Sequence, residues 1–347
     1  MRNRWIDDSD LAAIPAEEFA DVSTLKSSPL VSVLMITFNH AAYVAEAVES
    51  VLSQRCGFGF ELIIGEDCSS DGTREICEEL RRRHPGIVRV VSSARNVGMH
   101  RNLARIWHRA RGRYIAILEG DDLWVDSAKL EKQVRLLEAN PEVTLCGALA
   151  RKISCDAAGR WVDAGIVGPR IPRDRYGVAE LIPDYSFHTS TVLIRAGVVR
   201  FPRWFWDVYC ADRPLYLLCA EQGPAAMVSE VLSTYRLHDG GVWSPTSGLK
   251  KAEQGIRLFD NLNRHFGFQF DALIRETLGD ILWSYMAEAI ASNDLDTAKQ
   301  LFTMSMPYRW AKLSRERLRL NLGAWAALFV PPLSTLIAAV RGSDASA

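Results

Sequence analysis

The strongest constraint on the fold of this chain is a regular alternation of short apolar runs with helix-patterned segments between residues 31 and 149. The runs are almost free of polar side chains, which is typical of strands buried on both faces. We predict strands at 31–36, 60–65, 88–91, 114–118 and 143–149, and helices at 41–54, 71–83, 98–110 and 127–139. This alternation predicts an α/β fold in which helices cover both faces of a parallel sheet.

The rest of the chain follows a looser pattern. Gly, Pro and Asp interrupt residues 155–185, and we then predict a strand at 189–194, a helix at 212–222 and two short strands within 225–237, around Glu230. Acids, Ser and Pro are frequent in residues 1–29, whereas residues after 245 are mostly helical in pattern. We therefore expect a loose N-terminal arm at 1–29, an α/β domain at 30–245 and a helical C-terminal region at 246–347.

Composition excludes several classes of protein. The 347 residues carry a formal net charge of −1, and the first 250 show no basic face, so we expect no nucleic-acid partner. Seven cysteines without a C-x-x-C pair predict a reducing, cytoplasmic environment. The start lacks the apolar core of a signal peptide, and we find no uninterrupted apolar run of about 18 residues, the length of a membrane-spanning helix.

Polar clusters follow three of the predicted strands, at the point where each strand ends. They are Thr37-Phe38-Asn39, Glu66-Asp67 with Asp71, and Glu119-Gly120-Asp121-Asp122. In an open parallel sheet the ligand crevice lies outside the carboxyl ends of the strands, at a switch in strand order. We therefore expect the three clusters to share one cleft, although many residues separate them along the chain.

The cluster at Glu119–Asp122 places three acids within four residues at the edge of the predicted core. Such acids repel one another, and a divalent cation that holds a diphosphate would relieve the repulsion. Oxygen ligands of this kind suit Mg²⁺ or Mn²⁺. The alternative is a solvated loop at a helix start, where the helix dipole favours acids. Asp126 or Ser127 would suffice for that capping.

Two familiar nucleotide motifs are absent. No G-x-G-x-x-G follows the first strand and no G-x-x-x-x-G-K-[ST] occurs, which argues against dinucleotide-dependent redox chemistry and P-loop hydrolysis. Asp67 can instead accept a hydrogen bond from a base N–H, with Thr37 and Asn39 nearby. Its segment, Asp67-Cys-Ser-Ser-Asp71-Gly, is also explained by a turn with a helix cap, and the two roles can coexist.

Three segments resemble the family 2 glycosyltransferases with the GT-A fold, of the bacterial polysaccharide type. They are VSVLMITFNHAAYVAEAVESVLSQ, ELIIGEDCSSDGT and GRYIAILEGDDLW, in the family's order and with fitting intervals. The later stretches ADRPLYLLCAEQG and YRLHDGGVWS are also similar, so that the resemblance spans roughly residues 30–245. It implies a Rossmann-like domain with a mostly parallel central sheet and flanking helices, followed by a C-terminal helical extension.

The resemblance also implies an activity and roles for residues. It implies inverting transfer of a sugar from a nucleotide-diphosphate sugar to a saccharide or lipid-linked acceptor, with Mg²⁺ or Mn²⁺ as cofactor. Asp212 matches the general base, Asp121 matches the direct metal ligand, and His238 matches a histidine that reaches the metal or the diphosphate. The positions that match donor-binding residues are Thr37, Asn39, Glu66, Asp67, Glu119, Asp121 and Asp122.

This sequence departs from the family pattern at three positions. Ile36 replaces the usual Pro, and Glu119 replaces the first Asp of D-x-D, so that its longer arm can contact the ribose in place of the metal. Ala211 replaces the acid before Asp212, which leaves one carboxylate there. Taken without the resemblance, Asp212 is also a common helix cap, and a lone histidine such as His238 is usually structural.

Two other functions remain open from the sequence. One is a non-catalytic nucleotide-sugar-binding or assembly subunit on the same fold, against which the retained Asp121 and Asp212 argue. The other is a nucleotidyltransferase, which usually needs a basic Gly-rich loop near the first strand. Residues 36–43 contain neither Lys, Arg nor Gly.

Two features leave the acceptor side open. Trp204, Trp206, Tyr209 and Trp243 lie near the inferred site in sequence and could contact a sugar ring or belong to the core. Arg309, Lys312, Arg315, Arg317 and Arg319 precede an apolar stretch at 325–340. That tail could lie on the inner face of the cell membrane as a peripheral contact, or form a helix pair or a dimer surface.

Overall fold

The computed structural model describes residues 4–309 except 22, 26–27, 185–186, 239 and 242–246. Residue contacts divide the chain into two units, Met1–Pro245 and Thr246–Ala347. The basic and apolar tail beyond Arg309, and Trp243, lie outside the described residues.

The first unit alternates strands with helices. Its strands are β1 (Glu17–Phe19), β2 (Val31–Thr37), β3 (Phe60–Glu66), β4 (Val88–Ser92), β5 (Tyr114–Glu119), β6 (Leu123–Trp124), β7 (Leu145–Cys155), β8 (Trp161–Val167), β9 (Leu193–Arg195) and β10 (Ala225–Leu237). Its α-helices are α1 (Asp8–Ala12), α2 (Val44–Leu52), α3 (Thr73–Arg83), α4 (Met99–Trp107), α5 (Lys129–Ala139), α6 (Val178–Leu181) and α7 (Asp212–Gln222). Two short 3₁₀ helices span Thr189–Thr191 and Arg203–Asp207.

One sheet contains the strands of the described residues, in the order β1-β4-β3-β2-β5-β9-β7-β10-β6, with β8 paired to β7. The central strands β4, β3, β2 and β5 run parallel, as do β7 and β10, whereas β1, β6, β8 and β9 pair antiparallel to their neighbours. The predicted α/β fold with a parallel centre and flanking helices is therefore confirmed.

The central strands form because nearly all their residues can be buried at once. Every residue of β3 is buried, and β2, β4 and β5 are almost as apolar and as enclosed. Helices α2, α3 and α5 contribute their apolar sides to the same core. From β2 the chain adds β3 and β4 on one side and then returns to place β5 on the other. The switch in strand order thus lies at the carboxyl end of β2.

The segment predicted as a loose arm contains regular structure. Helix α1 begins with a capping box formed by Asp7 and Asp10, and β1 pairs with the sheet edge at β4. Glu18 of β1 forms ion pairs with Arg89 and Arg109. These partners are distant in sequence, so local composition does not reveal them.

Three strand predictions in the later part of the domain were inaccurate. Strand β7 continues beyond residue 149 because β8, in a segment predicted to be irregular, pairs with its second half. Residues 189–191 form a 3₁₀ turn before the short strand β9, since His188 accepts a hydrogen bond from the Ser190 amide and caps the turn. Residues 225–237 form one strand with register shifts near Glu230 in place of two strands.

The second unit contains three helices among its described residues: α8 (Gly248–His265), α9 (Asp271–Ala291) and α10 (Leu295–Arg309). Leu258, Phe259 and Leu262 of α8 are buried, as are Leu278 and Leu282 of α9 and Leu301 of α10. Within the residues that the structure describes, no helix is both long enough and apolar enough to cross a membrane.

Candidate active site

The carboxyl ends of β2, β3 and β5 meet at one edge of the sheet. The Asp67 amide donates to the Thr37 carbonyl oxygen at 3.0 Å, and the Gly120 amide donates to the Ile36 carbonyl oxygen at 2.9 Å. A Cβ atom on Gly120 would lie 2.5 Å from Thr37 Oγ1, so only glycine permits this approach. The three polar clusters predicted from the sequence therefore lie together in the structure.

The loops after β2 and β3 are tied to each other by side chains. Asn39, whose φ of 55° is unusual for a residue with a side chain, accepts a hydrogen bond from the Ser70 amide through Oδ1. Asp71 accepts hydrogen bonds from the amides of Ala41 and Thr73, and Thr73 is the first residue of α3. Asp71 thus stabilises the turn before α3, whose N-cap residue is Gly72, and Asn39 remains exposed.

Asp67 and Glu66 have different surroundings. Asp67 is 3% exposed, and its two oxygens accept hydrogen bonds from the amides of Val97 and Gly98, at the start of α4. Burial raises the pKa of Asp67, although these amides and Arg105 oppose the shift. Glu66 accepts from the Ser69 amide and from Ser92 Oγ, so its carboxylate points into the protein. Asp67 is therefore the more suitable of the two to meet a ligand.

Asp121 lies between two histidines. His238 Nε2 is 3.1 Å from Asp121 Oδ2, and His40 Nε2 is 3.6 Å from the same oxygen. Burial tends to raise the pKa of Asp121, but the hydrogen bond to His238 and the charge of His40 hold it below its usual value. Tyr43 packs against His238 with ring centroids 4.7 Å apart, which limits the movement of that imidazole.

Glu119 and Asp122 form a more enclosed group with His188. A carboxylate oxygen from each acid and a ring nitrogen of His188, all of them atoms that can coordinate a metal ion, lie within 4.8 Å of one another. Burial, with the nearby charges of Asp121 and Asp212, raises the pKa of Glu119 to about 8. Burial also raises the pKa of Asp122 well above its usual value and lowers that of His188 to about 4. Asp122 accepts a hydrogen bond from the Arg236 amide, so its carboxylate points toward β10.

Asp212 occupies the first position of α7, and its charge reaches the acidic cluster. Its charge contributes to the raised pKa of Glu119 and opposes the lowered pKa of His188, on which Asp121 acts in the same way. Tyr216, one helical turn after Asp212, is buried, and its pKa is raised first by burial and then by Asp212. Asp212 and Asp121 therefore both act electrostatically on His188.

Sequence reasoning missed His40 and His188. His40 directly follows the predicted cluster Thr37–Asn39, so its position was a usable signal. His188 belongs to no sequence motif. Only the structure brings it to the site, where its Nδ1 lies 3.6 Å from Asp122 Oδ2. Of the aromatic residues considered for the acceptor, Trp206 lies under the guanidinium of Arg101, 5.4 Å from its ring centroid.

The carboxylate of Asp121 and the imidazole of His238 are groups that can coordinate a divalent cation. Two neighbouring ligands of an octahedral ion at about 2.1 Å are about 3.0 Å apart, close to the observed separation of Asp121 Oδ2 and His238 Nε2. In addition, Thr37 Oγ1 and His40 Nδ1 are buried and have no hydrogen-bond partner among the described residues. Such orphaned polar atoms beside a carboxylate indicate a place for a polar ligand.

Comparisons with known proteins give one consistent result. Residues 32–200 match the sequence profile described as glycosyl transferase family 2. An uncharacterized protein of Mycobacterium tuberculosis is 34% identical over 215 residues, which cover 61% of this chain and 60% of that protein. EpsE of Bacillus subtilis, which carries a glycosyltransferase name, is 34% identical over 205 residues, covering 57% of this chain and 69% of EpsE.

Solved structures are similar across most of the chain, and a mannosyltransferase is among them. A mannosyltransferase of Pyrobaculum calidifontis, solved in complex with GDP-Man and Mn²⁺, aligns with a TM-score of 0.52 and 18% identity. The alignment covers 88% of this chain and 89% of that protein. At this identity the likeness concerns the fold. The matched region spans 60% of the length of the mycobacterial relative.

Proposed function

Since this chain belongs to glycosyl transferase family 2, we propose that it transfers a sugar, with inversion, from a nucleotide-diphosphate sugar to a hydroxyl group of a saccharide or lipid-linked acceptor. The observation that carries the proposal is the contact of Asp121 Oδ2 with His238 Nε2 at 3.1 Å. The charges of both Asp121 and Asp212 act on the nearby His188. A carboxylate–imidazole pair that would hold a cation, in the same charge environment as a carboxylate at a helix start, suits a displacement that releases a diphosphate.

The donor would lie across the carboxyl ends of β2, β3 and β5. Asp67 would accept a hydrogen bond from the base, and Thr37 and Asn39 would contact the nucleotide at the same end of the site. Glu119 would reach the ribose or the diphosphate. The related mannosyltransferase, with GDP-Man in its complex, supports this class of donor for the fold.

A divalent cation, Mg²⁺ or Mn²⁺, would be held by Asp121 and His238. When bound, it would supply positive charge that stabilises the departing nucleoside diphosphate. Asp121 is suited to this role because its carboxylate has a pKa below the usual value and is therefore ionised at neutral pH. Tyr43, packed against the ring of His238, keeps that imidazole aligned with Asp121.

Asp212 would act as the general base. It would take the proton from the acceptor hydroxyl as that oxygen forms a bond to the anomeric carbon. The bond between the anomeric carbon and the diphosphate oxygen breaks, and its electron pair leaves with the nucleoside diphosphate. A single displacement of this kind inverts the anomeric configuration.

The acceptor class rests on the relatives. One Bacillus subtilis relative, TuaG, is 39% identical over 109 residues and carries the name of a teichuronic acid biosynthesis glycosyltransferase. Its name, together with the family, favours an acceptor in the assembly of a bacterial polysaccharide. A lipid-linked saccharide is the second acceptor form within this proposal.

The test is a panel of nucleotide sugars with UDP, GDP, CDP and dTDP as the leaving groups, with and without Mn²⁺. We expect one donor to raise the melting temperature in a Mn²⁺-dependent way and to be slowly hydrolysed when no acceptor is present. Binding without any hydrolysis or transfer would favour the non-catalytic sugar-binding subunit instead. Absence of binding by every donor would remove the proposal.

A further inference from the structure

We propose that Arg105 is a positioning residue that keeps Asp67 ionised, and thereby selects donors whose base presents a ring N–H. This inference rests on the proposed function, in which Asp67 meets the base of the nucleotide. It concerns a side chain that lies behind the donor site and that no motif of the sequence indicated.

Arg105 is buried at 1% exposure and joins four pieces of the chain. Four hydrogen bonds use four of the five N–H groups of the guanidinium. They go to Asn102 Oδ1 at 3.0 Å, the Pro15 carbonyl oxygen at 2.9 Å, Ser93 Oγ at 2.8 Å and the Glu66 carbonyl oxygen at 2.7 Å. The guanidinium is thus fixed by α4, by the ends of β3 and β4, and by the N-terminal segment.

The nitrogen that binds the Glu66 carbonyl also faces Asp67. Arg105 Nη2 lies 3.7 Å from Asp67 Oδ1, and both side chains are almost completely buried. A buried arginine cannot lose its proton, so it needs a negative charge nearby. Asp67 forms the ion pair with Arg105, and the Glu66 carboxylate is the other acid whose charge reaches it. Burial alone would favour the neutral form of Asp67, and Arg105 opposes this.

The protonation state of Asp67 decides which bases it can bind. An ionised carboxylate only accepts hydrogen bonds, whereas a protonated one also donates. The Val97 amide donates to Asp67 Oδ1, which also faces Arg105, and the Gly98 amide donates to Oδ2, which leaves a second acceptor direction on Oδ2 for a ligand. Uracil, thymine and guanine present a ring N–H, but the ring nitrogen of cytosine at the same edge is an acceptor. An ionised Asp67 therefore favours the first three and disfavours cytidine donors.

The experiment measures Kd by calorimetry for UDP, GDP, CDP and inorganic pyrophosphate, each with Mn²⁺. The wild-type chain is compared with Arg105→Gln, which removes the charge but retains N–H donors, and with Arg105→Lys, which retains the charge. Arg109→Gln is the matched control, because Arg109 lies on the continuation of the same helical segment and pairs with Glu18 rather than with Asp67.

We expect the wild-type chain to bind UDP or GDP more tightly than CDP. Arg105→Gln should reduce that preference by about 10-fold, the size expected for one charge-assisted hydrogen bond, and leave pyrophosphate binding unchanged. Arg105→Lys and Arg109→Gln should retain the preference. Asp67→Asn should lose it as well, and Arg105→Gln should have no further effect in that background.

Three results would overturn the inference alone: a wild-type preference for CDP, an unchanged preference in Arg105→Gln, or equal weakening of all four ligands including pyrophosphate. If Arg105→Gln does not fold, Asp67→Asn decides, since a retained preference there excludes Asp67 as the selecting group. Failure of the wild-type chain to bind any nucleoside diphosphate would instead contradict the proposed function, and this inference with it.

Discussion

At the scale of single residues, the site contains three neighbouring acids whose pKa values are shifted in opposite directions. Asp121 is ionised, held there by His238 and His40, whereas burial raises the pKa values of Glu119 and Asp122. The pKa values of neighbouring carboxylates in one site tend to move apart in this way, because burial and mutual repulsion disfavour ionisation of all of them at once. The acid with the lowered pKa is the one suited to a cation.

Asp212→Asn tests the proposed base. We expect nucleotide binding to persist and turnover to fall by about 10²-fold or more, the usual range for loss of a general base. Steady-state transfer assays, with Kd measured separately, check this. Glu221→Gln, at the other end of the same helix, is the control and should retain activity. Near-normal turnover in Asp212→Asn would remove Asp212 from the role.

His238→Ala tests the cation site. Loss of a residue that only hydrogen-bonds to a metal ligand typically weakens metal binding by roughly 10- to 100-fold. Loss of His238, one of the two proposed ligands, should therefore weaken Mn²⁺ binding at least as much. Calorimetric titration of Mn²⁺ in the presence of a nucleoside diphosphate measures the effect. His108→Ala, on a histidine at the end of α4, is the matched control. Equal Mn²⁺ affinity in both variants would contradict the assignment of His238.

At the scale of elements, the site depends on how closely β2 and β5 approach at their carboxyl ends. Gly120 follows β5 and lies against Thr37, the last residue of β2. The main-chain bond from Gly120 to the Ile36 carbonyl oxygen fixes this approach. The relative positions of the Thr37 and Asp121 side chains therefore depend on the absence of a side chain at residue 120.

Gly120→Ala should force these two strand ends apart. The added Cβ would lie 2.5 Å from Thr37 Oγ1 and 2.7 Å from Thr37 Cβ, so the chain must shift. We expect a loss of about 1–3 kcal/mol in the free energy of unfolding, as for other overpacked sites, together with weaker nucleotide binding. Urea unfolding and calorimetry measure the two effects. Gly57→Ala, where a Cβ would meet nothing within 4 Å, should change neither quantity.

At the scale of the whole first unit, a buried ionic network joins the central strands near their amino ends, opposite the site. Glu61 of β3 accepts hydrogen bonds from Ser32, Arg89 and Arg111. Arg89 continues the network to Glu18, so that the N-terminal segment is joined to the central strands. Because these residues are far apart in sequence, their pairing depends on the assembled sheet.

This network predicts how stability depends on pH. Burial tends to raise the pKa of Glu61, but its hydrogen bonds to Arg111, Ser32 and Arg89 lower it below the ordinary value of 4.5. The stabilisation is therefore present above pH 4.5 and is lost as the pH falls through the lower folded-state pKa. Glu61→Gln should cost about 3–5 kcal/mol at pH 7, as for a broken buried ion pair.

Urea unfolding at pH 7 and at progressively lower pH, below 4.5, checks the prediction for Glu61. The wild-type chain should lose more stability than Glu61→Gln over that range, so that the two curves converge. Glu142→Gln is the control, because its carboxylate pairs with Arg175 at the surface. Parallel curves for the wild-type chain and Glu61→Gln would show that Glu61 does not titrate as proposed.

Much of the fold followed from local pattern. The four strands and four helices predicted between residues 31 and 139 occur in the structure with slightly shifted ends, because an apolar run of about five residues between turn residues has few alternatives. Strand β8 was missed because all its residues are exposed or half-buried, so it carries no apolar signal. It forms because β7 offers an unpaired edge.

The sequence by itself determined the order of strands and helices, the polar clusters at the strand ends and the family resemblance, since each is written in neighbouring residues. Only the tertiary structure decided which acids share a charge environment, that Glu66 points into the protein while Asp67 faces Arg105, and that His40 and His188 join the site. The physical reason is that burial and the charges of distant residues set each pKa and each orientation, and neither exists before the strands have paired.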